Sequence, residues 1–401
     1  MDRYKQEVID PGDRVSKLAH KVCIESFNNS KAVIIIPRQP GNFRGAVDFN
    51  FRRPILKAMM AGQAAQTIQN DGAGGKPQFF TLVGDKRIFR GLGWEIITMC
   101  ADDIARTGGF PAVMINQVDV KKITTANLPL IEAMLEGYGD ALEKAGLVNL
   151  TGETAVMKHS VTAFCDGDSE EQLVLTLTGA CLGVVHKEKT IDGSKIGPGQ
   201  PIVGLFEPGY RCNGGTFFTN LLVSLFGEGD PKKVLKNKEA LKFARKLTIP
   251  SKSYARLISK VHGWKPDGEI TEPLVKITGI AHITGGGVWA KFGEILPESI
   301  GAILDNMPEP PAALLEGQKL SYKVPELKLT DLQAYGTLHG GCGMMVICES
   351  KSDADRLIGA AGSEGVRASV IGRTVLSAVK EITIHSRFKE KKILSSAELA
   401  D

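Results

Sequence analysis

Apolar and polar residues alternate along the chain with two different periods. Residues 127–145 place apolar side chains three and four positions apart and stop at Gly146, which predicts an amphipathic helix. Residues 172–185 and 201–206 are short apolar runs of the kind that form strands. Because helical and strand-like segments alternate rather than separate, the pattern predicts an α/β or α+β layered fold.

The rest of the chain continues this alternation. We predict further helices at residues 94–106, 215–226, 253–264, 287–295 and 353–365, and strands at residues 275–283 and 366–375. The Lys-rich residues 388–401 indicate a solvated end of the chain.

A polar stretch divides the chain near its middle. Residues 186–200 contain three glycines and one proline, and a strand-like run follows directly. Such a stretch is typical of the segment between two domains. The length of 401 residues suits two or three domains, so we predict two α/β domains, at residues 1–188 and 189–401.

Composition and charge narrow the class of protein. Hydrophobic residues make up 43% and charged residues 23%, which is ordinary for a globular enzyme and excludes disordered, fibrous and membrane-spanning classes. The excess of 49 basic over 45 acidic residues is too small to predict binding to nucleic acid or to a membrane. The seven scattered cysteines indicate neither a zinc site nor a disulfide framework, and a reducing cytoplasm is the expected location.

The first glycine-rich loop, N-D-G-A-G-G-K, contains an acid and a lysine. Gly72 and Gly74 would let backbone N–H groups face phosphate oxygens, Lys76 would add positive charge, and Asp71 would hold a divalent cation. The spacing differs from that of a P-loop. A plain surface turn explains the same residues equally well.

Acidic residues supply candidate metal ligands. Asp102 and Asp103 lie in the helix predicted at residues 94–106, where burial would be costly without a cation or a donor. The simpler interpretation is that one of the two acids faces solvent. Glu153, in T-G-E-T-A, is a further candidate metal ligand or base.

Two more glycine-rich segments follow predicted strands. In A-H-I-T-G-G-G, three glycines open a predicted helix, where free N–H groups and the helix dipole favour an anion; His282 alone is more often structural. Asn213 lies in a second such junction, G-Y-R-C-N-G-G. In G-G-C-G, at residues 340–343, close packing explains the glycines as well as ligand binding does. Together these loops and acids fit an enzyme that uses ATP and magnesium on a phosphate-bearing substrate.

The order and spacing of the motifs resemble the phosphoribosylformylglycinamidine cyclo-ligase (aminoimidazole ribonucleotide synthetase) family over most of the chain. Residues 280–287 fit the specific pattern I-A-H-I/L-T-G-G-G, and residues 71–76 are similar to D-G-V/A-G-T-K. Residues 152–157 match G-E-T-A-x-M, and residues 183–195 match G-V-V-E-K followed by I-D-G-S. The chain is identified as a divergent member of this family.

The resemblance implies an activity and an assembly. The activity is the ATP-dependent ring closure of formylglycinamidine ribonucleotide to aminoimidazole ribonucleotide in purine biosynthesis, through a phosphorylated amide oxygen. ATP would be the co-substrate and Mg²⁺ the metal ion, with K⁺ as a further candidate ion and neither nucleic acid nor membrane as a partner. The N-terminal domain would form a sheet or barrel across a homodimer, and a C-terminal α/β sandwich would follow it.

The resemblance also gives roles to individual residues. Asp71, Asp103 and Glu153 would hold metal, while Lys76, Asp103 and His282 would be catalytic. The residues expected to bind ATP or phosphate are Asp71, Gly72, Gly74, Lys76, Asn213, Thr284, Gly285, Gly286 and Gly287.

Five positions depart from the family pattern: Gly75, Asp102, Val156, Arg211 and His339 stand where the family has Thr, Asn, an acid, His and Asn. These departures leave open a non-catalytic paralogue that binds nucleotide. A related phosphoryl-transfer enzyme of the same superfamily, such as thiamine-monophosphate kinase or selenophosphate synthetase, is a second alternative. No reactive cysteine lies in an N-terminal glycine-rich loop, which weighs against that alternative.

Overall fold

The computed structural model describes residues 10–36 and 47–399. Its helices are α1 (Asp10–Ser26), α2 (Arg53–Met60), α3 (Lys76–Val83), α4 (Lys86–Ala105), α5 (Leu128–Ala145), α6 (Gly215–Phe226), α7 (Pro231–Val234), α8 (Lys238–Leu247), α9 (Ala255–Val261), α10 (Gly287–Gly293), α11 (Ala312–Ser321), α12 (Asp331–Thr337) and α13 (Lys351–Ser363). Its strands are β1 (Val33–Ile36), β2 (Asp48–Phe51), β3 (Ala64–Gly72), β4 (Phe110–Val120), β5 (Val148–Val156), β6 (Leu175–His186), β7 (Pro201–Phe206), β8 (Ile277–His282), β9 (Ile300–Leu304), β10 (Cys342–Cys348), β11 (Ala368–Leu376), β12 (Ile382–His385) and β13 (Ile393–Ser395).

A four-stranded sheet with the order β3-β6-β4-β5 forms the centre of the N-terminal half. β4 and β5 run parallel, and the other neighbours are antiparallel. The register aligns Asp71 with Gly179, Gly179 with Asn116, and Asn116 with Gly152, so these residues form one row across the sheet. α4 packs on one face, where Gly179 leaves room for the side chain of Ile96.

Seven strands of the described C-terminal half form a second sheet, with the order β13-β12-β9-β11-β7-β10-β8. β7 and β8 both pair antiparallel with β10, which lies between them. The two strands therefore run in the same direction, and the segments that follow them leave the same edge of the sheet. This topology brings the junctions after Phe206 and His282 together.

One hydrophobic core joins the two halves of the chain. It contains Ile97 of α4 together with Leu205 of β7 and Met344 of β10. A second core, which includes Phe218 of α6 and Phe292 of α10, lies mainly within the C-terminal half. The two sheets are thus parts of one packed structure.

Most of the predicted elements are confirmed, and so is the mixed α/β class. The helix predicted at residues 94–106 begins earlier, at Lys86, and the one predicted at residues 253–264 is limited to Ala255–Val261. The last strand of the first sheet ends at His186 and the first strand of the second begins at Pro201, while the exact domain boundary stays a prediction. Within the described ranges, no helix is both long and apolar enough to span a membrane.

The prediction of a solvated C-terminal end is wrong for part of residues 388–399, although the lysines in this range are exposed. The side chain of Phe388 is fully buried, and its ring centroid lies 5.0 Å from that of Tyr335. Residues Ile393–Ser395 form β13, which pairs antiparallel with β12. Three residues are too few to leave a periodic pattern, and the neighbouring lysines hid this strand in the sequence.

Candidate active site

Three junctions between a strand and a helix lie against one another. They are the β3–α3 loop, the segment before α6 and the segment before α10. A Cβ atom on Gly75 would lie 3.1 Å from the Cα of Gly215, so the first two junctions touch. A Cβ atom on Gly285 would lie 3.5 Å from Oδ1 of Asn213, so the second and third are neighbours too.

The glycines of these junctions serve two purposes. Gly74 has a φ of +53°, and a Cβ atom there would lie 2.4 Å from the carbonyl oxygen of Cys212. Gly287 has a φ of +62°, and its Cβ atom would lie 2.2 Å from the carbonyl oxygen of Tyr335. Packing therefore requires both of these glycines. Gly285, by contrast, is exposed and has ordinary spacing to its neighbours, so its backbone is accessible to a ligand.

Arg211 is the buried cation beside these junctions. Its Nη2 donates to Oδ2 of Asp102 at 2.7 Å, and its Nη1 donates to Oε2 of Glu207 at 2.5 Å and to the carbonyl oxygen of Lys252 at 2.9 Å. Its guanidinium lies over the ring of Tyr254, 5.3 Å from the centroid. Burial opposes the charge, but the carboxylates of Glu207 and Asp102 outweigh it and hold the pKa of Arg211 above its ordinary value. The group therefore stays charged and can only donate.

Asp102 is fully buried, so the interpretation that one of the paired acids simply faces solvent is wrong for this residue. Its Oδ1 accepts from the backbone N–H groups of Tyr254 and Ala255, both at 2.8 Å, at the start of α9, and from the hydroxyl of Ser253 at 3.1 Å. Its Oδ2 pairs with Arg211. Two of the departures from the family pattern, at positions 102 and 211, thus neutralise each other.

His282 connects this cation to Asp103. Its Nε2 lies 2.8 Å from Nη2 of Arg211, and its Nδ1 lies 2.9 Å from Oδ1 of Asp103. A guanidinium offers no acceptor, so Nε2 must accept, and the ring proton must be on Nδ1 and be donated to Asp103. Both ring nitrogens are then engaged. This geometry argues against the expected catalytic role, because His282 has no nitrogen left to exchange a proton with substrate.

Asp71 and Asp103 form the acidic part of the site. Burial favours the neutral form of Asp103, but the hydrogen bond from His282 and the charges of Arg106 and Arg211 hold its pKa below the ordinary value. Burial raises the pKa of Asp71, and the charge of Asp103 adds to this effect, although a hydrogen bond from the backbone of Gly72 opposes it. Two carboxylates that repel each other are stabilised when a cation lies between them.

Glu153 lies apart from the other two expected metal ligands. It is exposed on β5, and its neighbour Gly152 is three strand spacings, about 14 Å, from Asp71 along the row across the sheet. Glu153 borders a separate cavity of about 320 Å³ beside α1. Nowhere in the described parts of the chain do three or more His, Cys, Asp or Glu side chains form a group that could hold a metal ion. Two carboxylates suit Mg²⁺ that is also held by phosphates, rather than a cage of protein ligands.

Lys76 does not face the exposed part of the junctions, and the expectation that it binds phosphate is corrected by its contacts. The side chain is fully buried, and Nζ donates to the carbonyl oxygens of Tyr210 at 2.6 Å and Ile249 at 2.7 Å. It also donates to Oγ of Ser251 at 3.1 Å and pairs with Oε1 of Glu95 at 2.7 Å. These partners use all three protons of the ammonium group, so Lys76 joins the two halves of the chain instead.

Sequence reasoning missed the acids that hold the two buried cations. Glu95 pairs with Lys76, and Glu207 pairs with Arg211; both acids are fully shielded from solvent on their side chains. A signal was present, since each is a lone charge in or beside an apolar run, G-W-E-I-I and V-G-L-F-E. A charged residue in such a setting is rarely buried unless it is paired.

The segment 340–343 is used for packing. A Cβ atom on Gly343 would lie 2.5 Å from the hydroxyl oxygen of Tyr254 and 2.8 Å from Nη1 of Arg211. The missing side chain makes room for the buried cation and the ring over which it lies. This resolves the two interpretations of G-C-G in favour of close packing.

Two family models match the chain. The model described as AIR synthase related protein, N-terminal domain, matches residues 56–185, and the model described as AIR synthase related protein, C-terminal domain, matches residues 269–385. The candidate residues Asp71 and Asp103 lie in the first match and His282 in the second. The two matches together span well over half of the sequence.

Two curated relatives share the name phosphoribosylformylglycinamidine cyclo-ligase. The protein from Alkaliphilus oremlandii is 26% identical over 379 residues, which cover 93% of this chain and 96% of the relative. The protein from Bacillus cereus is 28% identical over 342 residues, which cover 84% of this chain and 86% of the relative. The resemblance to this family is thereby confirmed at low identity.

Solved structures share the fold. Thiamine-monophosphate kinase from Stenotrophomonas maltophilia superposes with a TM-score of 0.52 at 12% identity, covering 90% of this chain and 94% of that one. The hydrogenase maturation protein HypE in complex with ATP superposes with a TM-score of 0.53 at 14% identity, covering 95% of this chain and 93% of that one. At such identities the likeness concerns the fold alone.

Proposed function

Since the chain belongs to the AIR synthase related family as a divergent member, we propose that it closes the imidazole ring of aminoimidazole ribonucleotide from formylglycinamidine ribonucleotide with ATP. The observation that carries the proposal is the pair Asp71 and Asp103 beside three glycine-rich junctions, in a chain whose curated relatives over most of its length are cyclo-ligases.

In the proposed reaction, ATP transfers its terminal phosphoryl group to the formyl amide oxygen of the substrate. The neighbouring nitrogen then attacks that carbon, and the oxygen leaves as phosphate, so the products are aminoimidazole ribonucleotide, ADP and phosphate. No covalent bond to the protein is needed. The work of the chain is to position two anionic substrates and to offset their charge.

The residues divide between these tasks. Asp71 and Asp103 would hold Mg²⁺, which supplies positive charge to the phosphates when it is bound. The exposed backbone at Gly285 and Gly286 and the half-buried side chains of Asn213 and Thr284 border the space where the transferred phosphate and the substrate would lie. Lys76 and His282 would hold the elements and side chains of this site in position, and would not contact the substrate.

We also propose that the enzyme is a homodimer, because Glu153 cannot reach Asp71 within one chain. Ile68 on β3 is 63% exposed and Ile115 on β4 is 42% exposed, which leaves apolar side chains uncovered on the four-stranded sheet. A second copy that buries them would lie on the face of the sheet that carries Glu153, opposite the face on which α4 packs. The free state of all seven cysteines supports a reducing location such as the cytoplasm.

The test is turnover of formylglycinamidine ribonucleotide by purified protein with ATP and Mg²⁺, with and without K⁺. Aminoimidazole ribonucleotide is detected by diazo coupling, and ADP is measured in parallel. We expect equal amounts of both products, and a loss of more than about 100-fold in turnover for Asp71→Asn and Asp103→Asn. Asp305→Asn, which removes a carboxylate paired with Arg373 on the surface, is the matched control.

The outcome separates the alternatives. ADP without the ribonucleotide would mean that another acceptor takes the phosphoryl group, as in a kinase of the same superfamily. Binding of ATP with neither product would favour the non-catalytic paralogue, which the departures at Gly75 and Val156 suggest.

The dimer is tested by mixing two inactive variants. If the site combines Asp71 of one copy with Glu153 of the other, Asp71→Asn and Glu153→Gln each inactivate the enzyme. A mixture that has exchanged subunits should then regain about a quarter of the wild-type activity, because half of the dimers contain one intact site. A monomeric mass in light scattering would overturn the proposed dimer.

A further inference from the structure

We propose that Arg211 and His282 are positioning residues for Asp103: Arg211 fixes the tautomer of His282, and His282 holds the Asp103 carboxylate so that its second oxygen faces the metal and nucleotide. This inference rests on the proposed function, in which Asp103 binds Mg²⁺. It concerns a contact between the two halves of the chain, and it depends on an arginine where the family pattern has histidine.

The first step is the fixed direction of the Arg211–His282 contact. Arg211 is held on three sides, by Asp102, Glu207 and the carbonyl oxygen of Lys252. Its Nη2 can only donate to Nε2 of His282, 2.8 Å away. With histidine at position 211, either ring could donate, and the tautomer of His282 would not be determined in this way.

The second step is the effect on Asp103. The Nδ1 proton of His282 is donated to Oδ1 of Asp103 at 2.9 Å, and Nε of Arg106 lies 3.2 Å from the same oxygen. Among the described residues, the two groups that contact this carboxylate directly, His282 and Arg106, thus both approach Oδ1. Oδ2 keeps its lone pairs for a ligand outside the chain, and the carboxylate cannot turn without losing the contacts to Oδ1.

The third step is the rigidity of the support. His282 is the last residue of β8 and is 2% exposed, and its strand pairs with β10. Asp103 lies on α4 with its side chain 19% exposed. A buried strand residue in a single tautomer therefore orients a half-buried carboxylate on a helix of the other half. Residues that support metal ligands in this way typically contribute 10- to 100-fold to metal affinity.

Two substitutions distinguish the role of Nδ1 of His282 from the role of Nε2. The side-chain amide of asparagine is as far from Cβ as Nδ1 is, so His282→Asn can still donate to Asp103. The amide of glutamine is as far from Cβ as Nε2 is, so His282→Gln can accept from Arg211 but gives Asp103 no donor. Both substituted side chains are uncharged. His282→Asn leaves Arg211 without its acceptor, and His282→Gln leaves Asp103 without its donor.

The experiment measures Mn²⁺ binding by electron paramagnetic resonance in the presence of a non-hydrolysable ATP analogue, and needs no turnover. We expect His282→Asn to bind Mn²⁺ within about threefold of wild type and His282→Gln to bind it about 10- to 100-fold more weakly. His262→Gln is the control, because His262 is a buried histidine that contacts the carbonyl oxygen of Lys189 away from this site. Thermal unfolding midpoints establish that the variants are folded.

A second measurement tests the tautomer directly in wild-type protein. In long-range ¹H–¹⁵N spectra of histidine-labelled protein, the signals that disappear in His282→Asn belong to His282, and we expect its proton on Nδ1. A proton on Nε2, or equal Mn²⁺ affinities of His282→Asn and His282→Gln, would overturn the proposal. A wild-type protein that binds the ATP analogue but binds no Mn²⁺ would also overturn the proposal.

Failure of the proposed function is a different result. Wild-type protein that shows the Nδ1 tautomer and the Asn–Gln contrast, yet makes no aminoimidazole ribonucleotide, would refute the ring closure and keep the positioning role. Turnover by the wild-type protein together with equal Mn²⁺ affinities of the two variants would refute the positioning role and keep the ring closure.

Discussion

Individual buried residues have pKa values set by their burial and partners. His339 is 4% exposed; its Nε2 donates to the carbonyl oxygen of Gly209 at 2.9 Å, and its Nδ1 accepts from the backbone N–H of Gly341 at 3.1 Å. Burial, with the charges of Arg211 and Lys76 acting in the same direction, lowers the pKa of His339 to about 3. This departure from the family pattern is therefore a neutral structural residue.

His339 makes stability depend on pH. Its pKa is about 3 when folded and 6.5 in an exposed chain, so the unfolded chain takes up a proton first as the pH falls. The contribution is complete above pH 6.5 and is lost as the pH falls toward 3. From about pH 7 to about pH 4.5, we expect wild type to lose about 2–3 kcal/mol more unfolding free energy than His339→Gln.

Urea unfolding at several pH values measures this difference. Other titrating groups, such as His262, are shared by the two proteins and cancel in the comparison. His20→Gln, which changes an exposed histidine on α1, should follow wild type. Parallel pH profiles of wild type and His339→Gln would contradict the assigned pKa.

At the scale of elements, the crossing of α4 and α5 explains glycines inside helices, where glycine is otherwise unfavourable. A Cβ atom on Gly137 would lie 1.7 Å from the carbonyl oxygen of Arg90, and one on Gly93 would lie 2.3 Å from the carbonyl oxygen of Met134. The two helix backbones are thus in direct contact. Both helices are predicted from the sequence, α4 only over residues 94–106, but a helical period does not show where a helix touches its neighbour.

Gly137→Ala should force these helices apart. We expect it to lower the free energy of unfolding by about 3 kcal/mol or more, since the methyl group has no space. Gly139→Ala is the control in the same helix, because its Cβ atom would lie 3.6 Å from the side chain of Val22, an ordinary contact. There the better helix propensity of alanine should stabilise the protein by up to about 1 kcal/mol. Chemical denaturation compares the two, and equal effects would rule out the close helix contact.

At the scale of the whole molecule, buried ion pairs join the two halves of the chain. Lys76 and Glu95 come from the N-terminal half, and the ammonium reaches the carbonyl oxygens of Tyr210 and Ile249 in the C-terminal half. Oε1 of Glu95 also accepts from the backbone N–H of Ser251 at 2.9 Å. Removing one partner of such a pair leaves an uncompensated charge in the interior.

Lys76→Met should therefore lower the free energy of unfolding by about 3–5 kcal/mol, and the double variant Lys76→Met/Glu95→Gln should recover part of that loss. Equilibrium unfolding measures both. Because Lys76 is enclosed, the folded double variant should bind ATP within about threefold of wild type, as calorimetry would show. If this variant were stable but bound ATP more than tenfold more weakly, Lys76 would contact the phosphate after all.

The sequence by itself determined the helices and strands with clear periods, the α/β class and the family resemblance. These depend on neighbours in the chain: apolar spacing along one helix face, as at residues 127–145, or the order of residues within a short motif such as A-H-I-T-G-G-G. The short strand β13 was not predicted, because three residues are too few to show a period.

Only the tertiary structure decided which charged residues meet. Lys76 and Asp71 stand five positions apart in one glycine-rich motif, yet Lys76 turns into the interior toward Glu95, while the pKa of Asp71 responds to the charge of Asp103 on a different element. Glu153 was expected to bind the same metal ion as Asp71, but its strand lies three strand spacings from the strand of Asp71. Burial makes an unpaired charge so costly that its partner must be found wherever the fold supplies one, and that position is set by the packing of distant segments rather than by the local sequence.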